Sequence, residues 1–485
     1  MRFPAFIGGS NEAQSSLADC SRTVNFYVEV SPFQGSTSEA QLYPTPGVET
    51  LSSFTRNPGR AHAFLNGREF VIRRQYLSEI GASGQTVGAG VNLGPSLSDP
   101  GVPTPATIST NGDGGGQLCI TSEDNVWIYD LAADTATEVA AMHGLATMGA
   151  YLDGYFLAFD ATESKLYVSA LMDGLTWSPG TDFARRSMAP DAWLAMLVAG
   201  RFAWLLGRET SEAWYNSGER FPFTPHPSGL IDFGIAATWS AKVIESDPIW
   251  LAHTASGRVC VVKMRGFTPE VVSTPALELA IQSYGDVSGA VADVYSDMGH
   301  TFYILNFELN TWVWDASTKL WAERGTWIPE QKRFTAWRPR FLAHAFGEHR
   351  ALDAATGDIY RMSSALTLDV GGLPLRRLRR APAISSENKR VFYSSFELDL
   401  EPGLGDTEAG SDNPQVMLRL SNDGGKTWVT EQMRGAGKIG EYGRRVRWNR
   451  LGSARRRVFE VSVTDPIPWR LTGAYIESSE QVGRG

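Results

Sequence analysis

Three short stretches contain residue types that could do chemistry, and each fails on spacing or context. Gly425-Lys426-Thr427 matches the end of a phosphate-binding loop, but the position five residues before Gly425 is leucine instead of the required glycine. The stretch His344 to His349 is one residue too long for an inverted zinc-peptidase motif and has no helical pattern around it. The glycines of residues 88–94 miss the dinucleotide-binding spacing and run into a proline. The sequence therefore predicts no catalytic residues, no cofactor and no metal ligands.

The stretch Gly425-Lys426-Thr427 fits a turn better than a phosphate-binding loop. Residues 421–428 have the form S-x-D-x-G-x-T-W, which resembles the Asp-box hairpin of sialidase-like β-propellers and other β proteins. Asp423 can accept backbone N–H bonds across the turn, and Gly425 can supply a positive φ. Trp428 is expected to begin the returning strand as an apolar anchor. Because the backbone consumes the polar atoms, we predict a structural turn formed by Asp423, Gly425, Thr427 and Trp428.

A sialidase-like or glycan-binding propeller is the alternative function that this motif raises. Such enzymes carry several Asp-boxes within the propeller and an Arg-Ile-Pro segment near its first strand. Here one full box lies outside the repeat region, Asp173 to Trp177 is a shortened relative, and no Arg-Ile-Pro occurs. Without that arginine the substrate carboxylate has no obvious partner, so we expect a protein that is not an enzyme.

Arginines are concentrated near the end of the chain. The last 114 residues, from residue 372, carry 19 Lys and Arg against 14 Asp and Glu, a net charge of +5; the preceding residues carry 25 against 39, a net charge of −14. Alternation in Arg445 to Trp448 places the two arginines outward and Val446 and Trp448 inward. No aromatic residues interleave with the arginines as stacking platforms, which argues against sequence-specific reading of nucleic acid. We predict a surface that docks on an acidic protein ring or lies near DNA phosphates, formed by Arg444, Arg445, Arg447, Arg450, Arg455, Arg456 and Arg457.

Composition favours a turn-rich β protein. The 485 residues include 49 Gly and 15 Trp, and 20% are charged. The longest apolar run, residues 192–200, is well short of the ~20 residues that cross a bilayer, and no secretory signal is visible. Three widely spaced cysteines make neither a disulfide framework nor a zinc site, so we expect assembly in the reducing cytoplasm of a host.

Strand–turn–strand units recur from about residue 60 to residue 365. Two-residue turns such as Asn66-Gly67 and Asp153-Gly154 join apolar strands, and the later glycine turns follow one another at intervals of roughly 40 to 60 residues, about one four-stranded blade each. A second hairpin type has an aspartate that bonds its own turn, at Asp130, Asp160, Asp315 and Asp353. We predict an all-β, irregular β-propeller of six or seven blades; long insertions at residues 178–191 and 211–229 favour six.

Two further segments flank the propeller. Residues 1–60 are rich in Ser, Pro and Gly and are predicted to form an extended N-terminal arm. The propeller then spans residues 61–370. Residues 375–380 are a basic linker that opens a C-terminal β-sandwich module of residues 371–485, which has five to seven strands.

The ordered set of segments resembles the packaged-DNA stabilisation proteins, or tail hub proteins, of short-tailed bacteriophages. The likeness covers about residues 22 to 477 and is carried by residues 25–29, 149–156, 169–177, 211–218, 221–223, 423–428 and 448–455. The resemblance implies a virion protein of the tail that forms a ring, expected to be a hexamer, below the portal and its adaptor. That ring would close the channel, retain the packaged double-stranded DNA without reading its sequence, and carry the distal tail proteins. We hypothesise that the propeller forms the ring wall, that residues 178–191 narrow the channel, and that the basic sandwich docks on the acidic or DNA-proximal side of the complex.

Overall fold

The computed structural model describes residues 2–31, 39–54, 57–94, 104–112, 114–185, 188–387, 389–405 and 411–480. Within these ranges the chain is almost entirely β-structure, with one α-helix, α1 (Pro275–Ser283), and two 3-10 turns, Ala140–Met142 and Val370–Gly372. Thr274 caps α1, because its side chain accepts a hydrogen bond from the backbone N–H of Leu277, and the helix begins with a proline. The predicted all-β fold class is confirmed.

The predicted N-terminal arm contributes strands to both domains. Residues 1, 32–38 and 55–56 of this segment lie outside the described residues. The strands are β1 (Asn11–Glu12), β2 (Cys20–Val24), β3 (Phe26–Val30), β4 (Ala40–Pro44) and β5 (Gly47–Ser52). β3 and β4 lie in a sheet of the C-terminal domain, whereas β5 pairs with β35 (Ile359–Ser363) of the propeller. The extended segment is therefore built into the body.

Seven sheets of four or more strands follow one another around the propeller. Blade 1 contains β6 (Gly59–Leu65), β7 (Arg68–Arg73), β8 (Tyr76–Ile80) and β9 (Thr86–Asn92), and blade 2 contains β10 (Thr107–Thr110), β11 (Gln117–Ser122), β12 (Asn125–Asp130) and β13 (Thr135–Glu138). Blade 3 contains β14 (Met148–Leu152), β15 (Tyr155–Asp160), β16 (Lys165–Ala170), β17 (Asp173–Trp177) and β18 (Phe183–Arg185), blade 4 contains β19 (Trp193–Ala199), β20 (Phe202–Gly207), β21 (Ser211–Asn216) and β22 (Phe223–Ile231), and blade 5 contains β23 (Gly234–Ile235), β24 (Lys242–Ile244), β25 (Asp247–His253), β26 (Val259–Arg265) and β27 (Thr268–Val271). Blade 6 contains β28 (Val291–Asp297), β29 (His300–Asn306), β30 (Thr311–Asp315), β31 (Trp321–Ile328) and β32 (Arg333–Ala336), and blade 7 contains β33 (Pro339–Ala345), β34 (Glu348–Asp353), β35 and β5.

In the described part of the chain the propeller has seven blades, so the preference for six was wrong. Much of the stretch 211–229 that was read as an insertion is strand, since β21 and β22 occupy it. Residues 178–191 also contain a strand, β18, although residues 186–187 lie outside the described part. Blade 7 takes its fourth strand from β5, which precedes the predicted propeller boundary. Strands thus occupy the stretches that were expected to be insertions, and one strand of blade 7 comes from outside residues 61–370.

The predicted turn chemistry is confirmed. Both residues of Asn66-Gly67 and of Asp153-Gly154 have positive φ, as a type I′ turn requires. The four aspartates of the second hairpin type all bond their own turns; Asp130, for example, accepts the N–H groups of Ala132 and Ala133 at 2.8 and 2.9 Å. Short-range sequence therefore determines the hairpins.

Apolar clusters between neighbouring blades hold the ring together. Separate buried clusters span blades 1 and 2, blades 2 and 3, blades 3 to 5, blades 5 and 6, blades 6 and 7, and blades 7 and 1. On the axis remains a cavity of about 560 Å³ lined by an inner strand of every blade. Its lining includes His62, Thr107, Ala150, Leu197, Val243, Val291 and Leu342. The seven blades thus form a closed circle.

Buried charges reinforce the seam where blade 7 meets blade 1. Glu69 of blade 1 accepts hydrogen bonds from His62 at 2.7 Å and from Arg350 of blade 7, and all three side chains are fully buried. Arg350 also donates to the carbonyl of Gly81 at 3.2 Å. A buried carboxylate needs such partners, and here they come from both sides of the seam.

The C-terminal domain is a β-sandwich. Its strands are β36 (Arg377–Arg380), β37 (Ile384–Ser385), β38 (Val391–Leu400), β39 (Gln415–Ser421), β40 (Gln432–Gly435), β41 (Val446–Asn449), β42 (Ser453–Ala454), β43 (Arg456–Val463) and β44 (Leu471–Glu480). One sheet has the order β3-β4-β44-β38-β41, and the other contains β2-β36-β43-β39-β40. Their facing sides enclose one core that includes Trp448, Phe459 and Trp469, together with Phe3 and Phe6 from the N-terminus.

The two domains share a continuous sheet. β2 pairs with β36 on one side and meets β31 of blade 6 on the other, so the sheet runs from the propeller into the sandwich. Arg22 of β2 forms a bidentate ion pair with Glu323 of β31, at 2.7 to 3.1 Å. Asn25, at φ +58°, accepts from the N–H of Gly325 at 3.0 Å and donates to the carbonyls of Gly325 and Arg376. The N-terminal segment is therefore the joint between the domains.

The stretch predicted as a basic linker is a buried strand, β36, so that prediction was wrong. Arg379 is 1% exposed and donates to the carbonyls of Ala5, Phe6, Gly8 and Gly9 and to the Thr23 hydroxyl, at 2.6 to 3.1 Å. Arg377 is equally buried and donates to the Ile467 carbonyl at 2.9 Å. These arginines satisfy main-chain carbonyl groups inside the domain instead of covering a surface.

Candidate assembly surfaces

The Asp-box turn is closed by its own polar atoms. Asp423 accepts the backbone N–H groups of Lys426 and Thr427 at 2.9 Å each, and the Thr427 hydroxyl donates to it at 2.6 Å. Hydrogen bonds from the hydroxyls of Ser421 and Thr427 and from these N–H groups hold the pKa of Asp423 well below its usual range. Gly425 has φ +96°, in the region that favours glycine. The carboxylate is thus occupied by the turn.

Trp428 has a different role from the one predicted. The returning strand β40 begins only at Gln432, and Trp428 is half-buried beside the turn. The guanidinium groups of Arg380 and Arg419 lie over its ring, 4.9 and 5.2 Å from the centroid, and both arginines donate to Glu460 at 2.9 Å. The turn is therefore tied to the sandwich by cation–π stacking.

Arg457 does not belong to the predicted docking surface. It is 1% exposed, donates to the Leu451 carbonyl at 2.9 Å, and lies over the Tyr393 ring at 4.7 Å. Burial lowers the pKa of this guanidinium. The physical reason is that β43 is paired on both sides and packed on both faces, so its residues are buried irrespective of alternation.

Two of the predicted docking arginines are paired with carboxylates. β41 has Val446 and Trp448 buried, whereas Arg447 and the preceding Arg445 lie outward, as alternation predicts. Arg445 forms a bidentate pair with Glu397 at 2.6 Å for both bonds, and Arg447 pairs with Glu477 at 2.6 Å. These pairs offset the positive charge of the two arginines on this face.

The remaining arginines lie at two ends of the sandwich. Arg444, Arg450 and Arg455 are exposed, and the Arg450 backbone N–H donates to the carbonyl of Ser394 in β38. Arg456 is half-buried next to the Asp-box turn, where its backbone forms a β-bridge with Asp423. Arg444 precedes Val446, which is opposite Leu398 of β38, whereas Ala454, before Arg455, is opposite Val391. Seven residues of strand separate these positions by roughly 23 Å. The predicted cluster is therefore two small surfaces and not one patch.

An exposed apolar tip adjoins Arg444. In residues 436–445, Ile439 and Tyr442 are 71% and 73% exposed, the highest values among the large apolar side chains described. Met433 on the neighbouring β40 is 53% exposed. We call Met433, Ile439 and Tyr442 the apolar tip. Exposed aromatic and Met side chains beside an arginine are typical of protein interfaces, and sequence reasoning missed this feature because the tip has no periodic pattern.

The described residues contain no group of three or more His, Cys, Asp or Glu arranged to hold a metal ion. His344 and His349, which the sequence brought to attention, lie opposite each other on β33 and β34 with ring centroids 4.8 Å apart. Burial lowers the pKa of His349. In the same part of the chain, no helix has the length and apolar character needed to cross a membrane.

Comparison with protein families decides the identity of both domains. Residues 6–367 match the family described as "Bacteriophage P22 Gp10, beta-propeller", and residues 376–479 match "Bacteriophage P22 Gp10, beta-sandwich". The chain belongs to the P22 Gp10 family. It is a phage structural protein with a propeller and a sandwich, which confirms the predicted resemblance and fold class. A search of curated proteins found no match.

Two solved structures show a distant likeness to the chain. PorZ, described as a bacterial surface component of the type-IX secretion system of Porphyromonas gingivalis, is 10% identical with a TM-score of 0.37. That match covers 79% of this chain, which spans less than half (46%) of PorZ. A chain of the mitotic checkpoint complex is 11% identical with a TM-score of 0.40, and the match covers 69% of this chain and 94% of that one.

Proposed function

We propose that this chain is the subunit of a tail hub ring that attaches below the portal and adaptor, closes the channel after packaging, and forms the conduit for DNA ejection. The family match across both domains is the observation that carries the proposal. The ring is a homo-oligomer, expected to be a hexamer, and it also carries the distal tail proteins. The role is structural and the protein is not an enzyme. Assembly takes place in the host cytoplasm, before the ring becomes part of the virion.

The size of the axial cavity supports a conduit formed between subunits. The groove depths of B-DNA add up to a duplex at least about 16 Å across. The cavity on the propeller axis is enclosed by an inner strand of every blade, and neighbouring inner strands lie within contact distance of each other, so the axis is narrow. Duplex DNA therefore passes the outside of the propeller, along a channel that several copies surround.

The net charge of the chain supports the same arrangement. Residues 1–371 carry a net charge of −14, which disfavours tight binding of DNA phosphates and suits a surface along which DNA slides. The apolar tip with Arg444 docks on the portal and adaptor, and the end with Arg455 and Arg456 lies on the side nearest the acidic or DNA-bearing partner. The long stretch at residues 178–191 narrows the channel.

The experiment is reconstitution of the ring with the purified portal and adaptor, followed by mass photometry. Six copies of the 53.0 kDa chain add about 320 kDa to the complex. The variant Ile439→Ser with Tyr442→Ser and the variant Arg444→Glu with Arg455→Glu should both assemble poorly, the second with an altered salt dependence. Arg220→Glu, an exposed arginine of blade 4, is the matched control and should assemble normally. Unchanged assembly of both docking variants would refute the assigned surfaces, and absence of any ring would refute the hub.

A further inference from the structure

One buried histidine lies where the sandwich meets the propeller. His300, at the start of β29 in blade 6, is 5% exposed. Its Nδ1 is 2.8 Å from a carboxylate oxygen of Asp315 on β30, and its Nε2 is 2.9 Å from a carboxylate oxygen of Glu29 on β3. Asp315 belongs to the propeller, whereas β3 is part of a sandwich sheet. The imidazole therefore connects the two domains.

β3 is positioned to serve both domains at once. Phe26 and Val28 point into the sandwich core, while Tyr27 and Glu29 face blade 6. The Tyr27 ring packs against His300 with centroids 4.9 Å apart. Asp297 is directly opposite His300 on β28, and Tyr43 and Tyr295 pack against the Tyr27 and Phe302 rings that lie beside the imidazole. Three carboxylates thus surround the imidazole, and Arg324 lines the same cavity as Tyr27 and Asp315.

The number of protons on the His300 ring determines how many of these hydrogen bonds can form. A neutral imidazole has one N–H donor, so it can donate to only one of two carboxylates; the imidazolium donates to both. Burial opposes the charged form, but the hydrogen bond that His300 donates to Glu29, together with the charge of Asp315 and the hydrogen bond to it, outweighs burial and raises the pKa of His300 above its ordinary value of 6.5. The protonated histidine therefore gives the contact its full set of hydrogen bonds.

Loss of the proton would break one bond in preference to the other. Asp315 is 4% exposed and also accepts bonds from Ser317 N–H and the Thr318 hydroxyl at 2.9 and 2.8 Å, so it is fixed in its turn. The Glu29 side chain is 38% exposed, so water can solvate its carboxylate when the hydrogen bond from His300 is lost. The bond that is lost is thus the one between domains.

We infer that His300 is a proton-operated clasp that fastens the N-terminal strand β3, and with it the edge of the sandwich, to blade 6 of the propeller. The clasp is closed when His300 is protonated and opens when it loses the proton. Because the folded-state pKa is raised, the stabilisation is fully present below the unfolded value and is lost as pH rises through the folded value. The clasp acts within one chain and does not depend on the proposed ring.

The test labels the seven histidines with ¹³C at Cε1 and follows their titration by NMR, with His300 assigned from His300→Gln. Hydrogen exchange of residues 26–30, corrected for the intrinsic rate at each pH, reports opening of the clasp. In the wild type, opening should increase by about ten-fold to a hundred-fold as pH rises through the His300 pKa, as expected for losing one charged hydrogen bond. His300→Gln should show no such dependence.

Two further variants make the outcome decisive. Glu29→Gln, at a half-exposed position, should lower the His300 pKa and flatten the pH dependence even if His300→Gln fails to fold. His143→Gln is the matched control, because His143 is bonded to Glu138 at 2.8 Å but is 71% exposed and lies within blade 2; it should behave like the wild type. Titration of His300 at or below 6.5, or opening of β3 that is independent of pH in the wild type, would overturn the inference.

Discussion

Replacing Arg379 by methionine should unfasten the N-terminus from the sandwich. The side chain donates to the carbonyls of Ala5, Phe6, Gly8 and Gly9 and to the Thr23 hydroxyl, and no described carboxylate pairs with it. Each buried carbonyl left without a donor costs about 1–3 kcal/mol, although the terminus can move to recover part of it, and removal of a buried charge is favourable. We expect a net loss of about 3 to 5 kcal/mol. For a unit of about 150 residues this lowers Tm by roughly 10 °C.

Thermal unfolding followed by circular dichroism measures the effect, and hydrogen exchange locates it. Exchange should accelerate in residues 2–9 and in β2, and blades 1 to 5 should keep their protection. Arg390→Met, an exposed arginine of the same domain, is the control and should leave Tm within about 1 °C. A loss below about 1 kcal/mol for Arg379→Met, or faster exchange spread evenly over the chain, would refute the assigned role of Arg379.

Two more predictions concern turns. Gly357 and Gly347 both have φ +78° in blade 7, but a Cβ at Gly357 would lie 1.9 Å from the Asn57 carbonyl oxygen, whereas a Cβ at Gly347 would meet nothing within 4 Å. In urea unfolding, Gly357→Ala should therefore lower the denaturation midpoint clearly more than Gly347→Ala. Equal losses for the two variants would contradict this prediction. The fold lowers the pKa of Asp423, so the ionised carboxylate stabilises the folded protein above its unfolded pKa near 4, and this stabilisation is lost as pH falls towards the folded pKa. Acid unfolding of Asp423→Asn should lack this pH-dependent loss of stability. An acid transition that is the same in the variant and the wild type would contradict the role of Asp423 in the turn.

The hairpins were predictable because their causes are local. Asp130, Asp160, Asp315 and Asp353 bond N–H groups two or three residues away, and the Asn-Gly and Asp-Gly turns need only their own φ values. The blade count was not predictable in this way. The blade count depends on the pairing of β5 with β35, which are about 300 residues apart in the sequence.

The arginines show the limit of sequence reasoning most clearly. Arg377, Arg379 and Arg457 look like surface charge in the sequence, yet each is 1% exposed. Arg377 and Arg379 donate to main-chain carbonyl groups of remote segments, and Arg457 donates to the carbonyl of Leu451 in the turn before it, and no residue type reveals these partners. Asn25 is similar, because its role depends on Gly325 and Arg376 being brought beside it.

The central claim is that several copies of this chain surround the exit channel of the virion. Cryo-electron microscopy of purified virions, with the seven-bladed propeller fitted into the tail density, tests it most directly. We predict a closed ring of propellers below the portal and adaptor, with the DNA path between subunits and the apolar tip at a protein contact. Propellers found on peripheral spikes, or a DNA path through the axis of a single propeller, would contradict it.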